Sequence, residues 1–173
     1  GIHSAMPIST AVRLCPNGIY LPVRMKLYQE VSAEIMQIFN DFSPEITQIS
    51  IDEAFLDMTG TDRLFGDVYE TGMKIKDTIK EKTSLTISIG AASSRFLAKL
   101  ASDFGKPDGL YVVEKGEEIS FLDKLELKDI WGLGKKTLER LHDLNIRSVS
   151  DLRSFSEQTL RTIFGQSGGN GCQ

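Results

Sequence analysis

At 173 residues the chain has room for one domain or one and a half, and its 40% hydrophobic and 25% charged content is that of an ordinary globular protein in water. No apolar run is long enough to span a membrane, the first residues show no basic stretch followed by an apolar one, and Cys15 and Cys172 are too isolated for a disulfide framework, so a cytoplasmic protein is expected. His3 and His142 stand alone, which argues against a zinc site, and a formal net charge of −4 leaves any nucleic-acid contact to local groups.

Residues 1–21 read as loop with short helical stretches, punctuated by Pro7, by Pro16-Asn17-Gly18 and then by Pro22. Residues 25–42 are predicted helical: Leu27, Val31, Ile35, Ile38, Phe39 and Phe42 make one apolar face, and Ser43-Pro44 stops it. A strand at 46–51, an acidic tip and a strand at 54–58 follow. Thr59-Gly60-Thr61-Asp62 leads into a second amphipathic helix over 64–82, with Val68, Met73, Ile75 and Ile79 inward. Leu85, Ile87 and Ile89 alternate with Thr86 and Ser88 as a half-buried strand. A third helix runs from Ser93 or Ser94 to Phe104. The turn Gly105-Lys106-Pro107-Asp108-Gly109 and a short strand at 110–113 come next.

A hairpin mixed with helices in this order predicts an α+β fold with a largely antiparallel sheet. The absence of a Gly-rich phosphate fingerprint argues against a doubly wound one. Beyond Glu114 the character is all-helical: pieces at 117–125 and 127–130, a unit from Trp131 to Ile146, then 149–155 and 157–163. A Gly-rich tail at 166–173 is expected to be disordered.

The most informative stretch is Ser50-Ile51-Asp52-Glu53-Ala54-Phe55-Leu56-Asp57. Two adjacent carboxylates interrupt a run otherwise fit to be buried strand, with neither Gly nor Pro beside them. Like charges side by side are costly unless a cation compensates them, and hard cations such as Mg²⁺ take oxygen ligands while keeping room for phosphates. A divalent-metal site on a β-hairpin is one reading; an acidic turn on a solvated edge is the other. Asp57 is expected to support structure.

The second unit is Gly132-Leu133-Gly134-Lys135-Lys136 before a helix, with Leu138 and Leu141 inward and Leu144-Asn145-Ile146 at its end, the pattern of a helix–hairpin–helix. Gly132 and Gly134 let backbone N–H groups approach a phosphate, the helix N-terminus adds its positive dipole end, and Lys135 and Lys136 add charge. Such contacts hold a nucleic-acid backbone without reading sequence. Asn145, at the closing turn where such units usually have Gly, tolerates the left-handed conformation. A plain αα-hairpin is the alternative. Lys106 in its Pro-containing turn is a candidate point charge for a triphosphate, against the alternative of a solvent-facing lysine. Lys99, Arg95 and Ser94 on the third helix either face a nucleic-acid backbone or form a solvated face.

These segments together resemble the Y-family DNA polymerases, the lesion-bypass enzymes of the DNA polymerase IV and ImpB/MucB/SamB type. Residues 50–57 look like the family's signature hairpin. Further matches run in order: Gly1-Ile2-His3-Ser4-Ala5-Met6-Pro7; Tyr20-Leu21-Pro22-Val23-Arg24 with Tyr28 and Ser32; and Leu97-Ala98-Lys99-Leu100-Ala101-Ser102-Asp103 followed by Lys106-Pro107-Asp108-Gly109. The unit at 132–146 falls where the family's thumb carries its helix–hairpin–helix.

The resemblance implies an incomplete palm at 25–115, a fingers remnant at 1–24, a truncated thumb at 116–165 and a tail at 166–173. It implies a fragment of a translesion polymerase performing template-directed nucleotidyl transfer. Asp52 and Glu53 would be two of three catalytic carboxylates holding two Mg²⁺ ions, Lys106 would contact the incoming nucleotide's phosphates, and Lys99, Gly132, Gly134, Lys135 and Lys136 would contact DNA. The implied partners are primer–template DNA, a deoxynucleoside triphosphate and, through a C-terminal part not matched here, a sliding clamp.

The departures are specific. The family's strand bearing the first catalytic Asp, its aromatic steric gate and most of the fingers are not matched, and Ala92 and Ser94 stand where Ser and Asn are usual. A chain inactive by itself is therefore expected, and a palm sheet missing that strand invites pairing with another chain. Two alternatives remain: a DNA-binding or regulatory fragment using only the helix–hairpin–helix, and a nucleotidyl-cyclase-like palm, whose Gly-Gly-acidic hairpin this sequence does not supply.

Overall fold

The computed structural model describes residues 1–164; the expected tail at 166–173 lies outside them. After α1 (Ile8–Leu14), α2 (Met25–Asn40) forms where its apolar face predicts, and Ile38 at its end is buried. The buried Ser43 ends the segment. Its hydroxyl lies 3.0 Å from the carbonyl oxygen of Glu45 and 2.6 Å from that of Asp57, which closes the base of a hairpin. The hairpin pairs β1 (Glu45–Gln48) with β2 (Ala54–Asp57) antiparallel, Ile46 opposite Leu56 and Thr47 opposite Phe55.

The second predicted helix is two. α3 (Asp62–Phe65) stops at Gly66, whose φ of +92° no side chain adopts readily. α4 (Val68–Thr83) then restarts under an Asp67 cap, whose carboxylate accepts the Glu70 N–H at 2.8 Å. The restart rotates the buried face: Val68 is exposed, and Thr71 and Gly72 join Ile75 and Ile79 inside.

The strand expected at 85–89 forms further along, as β3 (Ile89–Ala91). The Ile87 carbonyl is taken by the Lys76 ammonium at 2.6 Å, so it is not offered to a neighbouring strand. β3 leads through α5 (Arg95–Phe104), capped by the Ser94 hydroxyl, to β4 (Leu110–Val112), which pairs with it in parallel, Ile89 opposite Leu110. A parallel pair requires such a crossover, and α5 supplies it. The fold is therefore α+β as expected, with one antiparallel and one parallel pair of strands that are not hydrogen-bonded to each other.

Two apolar clusters hold these parts. Ile38, Ile75 and Ile79 form the first, and Leu56 of β2 and Ile89 of β3 both pack on it, so the two strand pairs share one helical floor. The second gathers Leu97, Leu100 and Ala101 of α5, Val113, and residues of the helical part that follows, among them Phe121, Leu127, Leu141, Ile146 and Val149. One core thus runs from α5 into the helical region.

That region comprises α6 (Glu118–Leu122), a 3-10 turn (Leu127–Asp129), α7 (Lys135–Asp143), α8 (Val149–Arg153) and α9 (Glu157–Phe164). Asn145 adopts φ +60°, the left-handed turn expected of it between α7 and α8. Ser148 and Asp151 form a reciprocal cap on α8. Among the described residues no helix is long and apolar enough to cross a membrane.

Candidate active site at the acidic hairpin

The hairpin tip closes with the N–H groups of Ile49 and Ser50 both directed at the Glu53 carbonyl, at 2.9 and 3.2 Å. None of residues 49–53 has a left-handed backbone, which explains how the tip dispenses with glycine. The Ser50 hydroxyl donates to Asp52 Oδ1 at 2.6 Å and fixes that carboxylate beside the turn. The Gln48 side-chain amide donates to the Ser50 carbonyl at 2.9 Å and to the buried Ser32 hydroxyl at 3.2 Å, tying the tip to α2. A cleft of about 450 Å³ lies between them, lined by Met25, Gln29, Ser32, Ala33, Gln48 and Ile51. Asp57, at the far end of β2, accepts the Thr59 N–H at 2.9 Å, and the Thr59 side chain together with that N–H holds its carboxyl below the usual range.

Two side chains of α5 join the hairpin to the other strand pair. Arg95 donates to the Thr47 hydroxyl at 3.2 Å and stands 5.8 Å from the centre of the Phe55 ring. Lys99 donates to Glu53 Oε1 at 2.6 Å and lies 3.0 Å from Asp103 Oδ2, and Asp103 Oδ1 is 2.6 Å from Lys106 Nζ. A continuous chain of alternating charge therefore runs Glu53–Lys99–Asp103–Lys106, from the acidic tip to the turn after α5.

Burial works against the Lys99 ammonium, whose side chain is only 14% exposed, but bonds to Glu53 and Asp103 outweigh it and hold its pKa above the ordinary lysine range. Burial likewise opposes the Asp103 carboxylate, and Lys106 and Lys99 reverse this and hold it low. Lys99, expected to face either DNA or solvent, thus has its ammonium turned inward to two carboxylates. Asp103 and Ser50 carry no role in the sequence-based expectations; the signal for Asp103 was its spacing, four residues after Lys99 on one helix face and three before Lys106 in the turn that follows.

Among the described residues no group of three or more His, Cys, Asp or Glu is placed to hold a metal ion. Asp52 and Glu53 do offer adjacent carboxylates with one oxygen each left by the Ser50 and Lys99 bonds, the all-oxygen donor set a hard cation takes.

The phosphate-binding candidate lies apart, in the second half. Gly132 has φ +91°, and Gly134 caps α7 with no side chain completing the cap. A Cβ on Gly134 would meet no atom within 4 Å, and its φ of −76° is open to any residue, so neither packing nor backbone within the chain requires glycine there. Lys135 extends into solvent, 4.0 Å from Glu139 one turn on, and Lys136 is exposed beside it.

The profile of the impB/mucB/samB family matches residues 1–103, and that of the IMS family HHH motif matches residues 115–146. The chain belongs to the impB/mucB/samB family. These are Y-family DNA polymerases, and the chain corresponds to a fragment of one. It is 51% identical over 170 residues to DNA polymerase IV of Treponema denticola, covering 98% of this chain and 43% of that protein. It is 40% identical over 168 residues to DNA polymerase IV of Desulfatibacillum aliphaticivorans, covering 97% and 42%.

Among solved structures it matches the crystal structure of DinB from Sulfolobus solfataricus with a TM-score of 0.88 at 35% identity, over 98% of this chain and 50% of that one. It matches an insertion ternary complex of Dbh DNA polymerase with a TM-score of 0.86 at 35% identity, over the same shares. The chain therefore spans half or less of the length of these impB/mucB/samB and DinB relatives, and every one of them is a polymerase, which gives neither the cyclase nor the binding-only alternative any support.

Proposed function

We propose that this chain is the part of a translesion DNA polymerase that supplies two metal-binding carboxylates, Asp52 and Glu53, a triphosphate-binding ammonium, Lys106, and a backbone-binding helix–hairpin–helix. The observation that carries this reading is the chain of charge from Glu53 through Lys99 and Asp103 to Lys106, which links the carboxylate tip to the lysine proposed for the triphosphate. In domain terms, residues 1–24 are a fingers remnant, 25–115 palm and 116–165 thumb. For the whole protein, primer–template DNA and a deoxynucleoside triphosphate are the proposed substrates, a sliding clamp a proposed partner, and the cytoplasm the proposed location.

Asp52 and Glu53 would hold Mg²⁺, which when bound supplies positive charge for activating the primer hydroxyl and for stabilising the departing phosphate. The chain's own residues prepare that site. Ser50 orients Asp52, the Glu53 carbonyl closes the turn, and Lys99 sets the direction of the Glu53 carboxylate. Lys106 presents a point charge to the phosphates. Gly134 leaves open the approach to the start of α7, where Lys135 and Lys136 add charge for the primer-side backbone.

The experiment is a pair of measurements on the purified chain. Titration with Mn²⁺, followed by the loss of its free EPR signal, should show weak binding that Asp52→Ala reduces severalfold; identical curves count against the site. A primer-extension assay with Mg²⁺ should show no product, because two carboxylates do not make a two-metal centre; template-dependent extension overturns that.

A further inference from the structure

Glu53 is needed twice. As a metal ligand it must turn to a cation, yet one of its oxygens is bonded to Lys99 at 2.6 Å. Lys99 in turn has two acceptors, Glu53 and Asp103, and Asp103 has two cations, Lys99 and Lys106. The two middle members, Lys99 and Asp103, can therefore each lose one partner and keep another.

Lys99 has little freedom besides these. Its side chain is 14% exposed and projects from the middle of α5, whose opposite face is fixed in the core by Leu97, Leu100 and Ala101. The ammonium is therefore held within reach of both carboxylates and can shift from one to the other by a small torsional change.

We propose that Lys99 competes with a divalent cation for Glu53: it is a positioning residue that holds this carboxylate against α5 and yields it to the metal, with Asp103 retaining the ammonium. The inference rests on the reading of Asp52 and Glu53 as a metal site and adds the group that governs their occupancy. It also gives Asp103 a function. When Lys99 swings fully to Asp103, the bond from Asp103 to Lys106 is shared with a second cation and weakens, so that metal binding at Glu53 frees Lys106 for phosphate. Metal and triphosphate then favour each other through four side chains, without movement of the backbone.

A purely structural lysine and a competing one differ in the sign of a single measurement. Lys99→Met keeps the apolar stem and removes the charge. If Lys99 competes, Mn²⁺ binds Lys99→Met more tightly than the parent chain, by several-fold to about tenfold at low ionic strength, the effect of removing one positive charge about 5 Å from a dication in a solvated site. Lys99→Arg, which keeps the charge, stays within about twofold of the parent. If Lys99 only braces the hairpin, Lys99→Met binds more weakly or the same, and the inference fails.

A second readout needs no variant with altered folding. Side-chain NMR of lysine ammonium groups in the parent chain should show the Lys99 signal shifting and exchanging faster with water as Mg²⁺ is added. The signal of Lys74, bonded to the Phe65 carbonyl at the junction of α3 and α4, should stay in place. A Lys99 signal unmoved at saturating Mg²⁺ overturns the proposal while leaving the metal site standing. Absence of Mn²⁺ binding in the parent chain and both variants overturns the metal reading itself, and the competition with it.

Discussion

Gly90 is the point where β3 and α5 come closest, and Gly90→Ala tests whether that contact holds the site together. A Cβ there would lie 2.1 Å from the Ala98 carbonyl oxygen, 2.2 Å from the Ser102 nitrogen and 2.8 Å from the Ala101 carbonyl carbon. All three are helix backbone, so no side chain can turn aside. Ordinary contact begins near 3.4 Å, and α5 must therefore move off β3 by more than about 1 Å, an overpacking that costs about 3 kcal/mol, at the upper end of such substitutions. The move also lifts Leu97, Leu100 and Ala101 from a core they share with Phe121 and Leu141, so the helical region is loosened too. For a chain of this size the loss corresponds to a fall in Tm of roughly 6–12 °C. Urea denaturation followed by far-UV circular dichroism measures it. The Mn²⁺ titration should change alongside, because Lys99 and Arg95, the two side chains that join α5 to the hairpin, move with the helix. A variant within about 0.5 kcal/mol of the parent, the scatter of neutral surface changes, would refute the reasoning.

Three further outcomes follow from the same geometry. Gly134→Ala should leave stability within about 0.5 kcal/mol of the parent, since its Cβ meets nothing, yet weaken binding to duplex DNA severalfold by blocking close approach of a phosphate; fluorescence anisotropy with a labelled duplex separates the two effects. Replacing Lys135 and Lys136 together by Ala should lower DNA affinity and reduce the slope of log affinity against log salt by about 2, one for each phosphate contact, with no change in Mn²⁺ binding; an unchanged slope places the DNA elsewhere. Asp103, held below its ordinary range by Lys106 and Lys99 against the pull of burial, contributes stability that is fully present above the unfolded value of about 4 and is lost as pH falls through the lower folded value. Asp103→Asn should accordingly be less stable than the parent at pH 6, and the difference should shrink as pH falls below about 4; a constant difference from pH 6 to 3 would show that the carboxylate charge is not what matters.

The parts of this site that the sequence made legible are those whose information is local. The hairpin is written in alternating apolar residues with two carboxylates between them, α7 in a Gly-Leu-Gly-Lys-Lys start with leucines at helix spacing, and the turn at Asn145 in a residue that accepts φ +60°. The break between α3 and α4 was written there too, as Gly66-Asp67. An amphipathic pattern continuing on both sides concealed it, because periodicity reports which residues are apolar and not whether the helix axis restarts.

What no local pattern could supply is the partner of Lys99. A lysine in a helix is by default a solvated charge, and Glu53 lies 46 residues away. The two meet only because β2 and β3 share the floor of Ile38, Ile75 and Ile79, while Gly90 lets α5 settle close enough for the lysine to reach across. The glycine at 90, silent in the sequence, thus decides whether the carboxylate at 53 has a cation beside it. Placement of the metal-site candidate is therefore a property of packing between distant segments, and the Gly90 and Lys99 substitutions test the two ends of that dependence separately: one moves the helix with its charge intact, the other removes the charge with the helix in place.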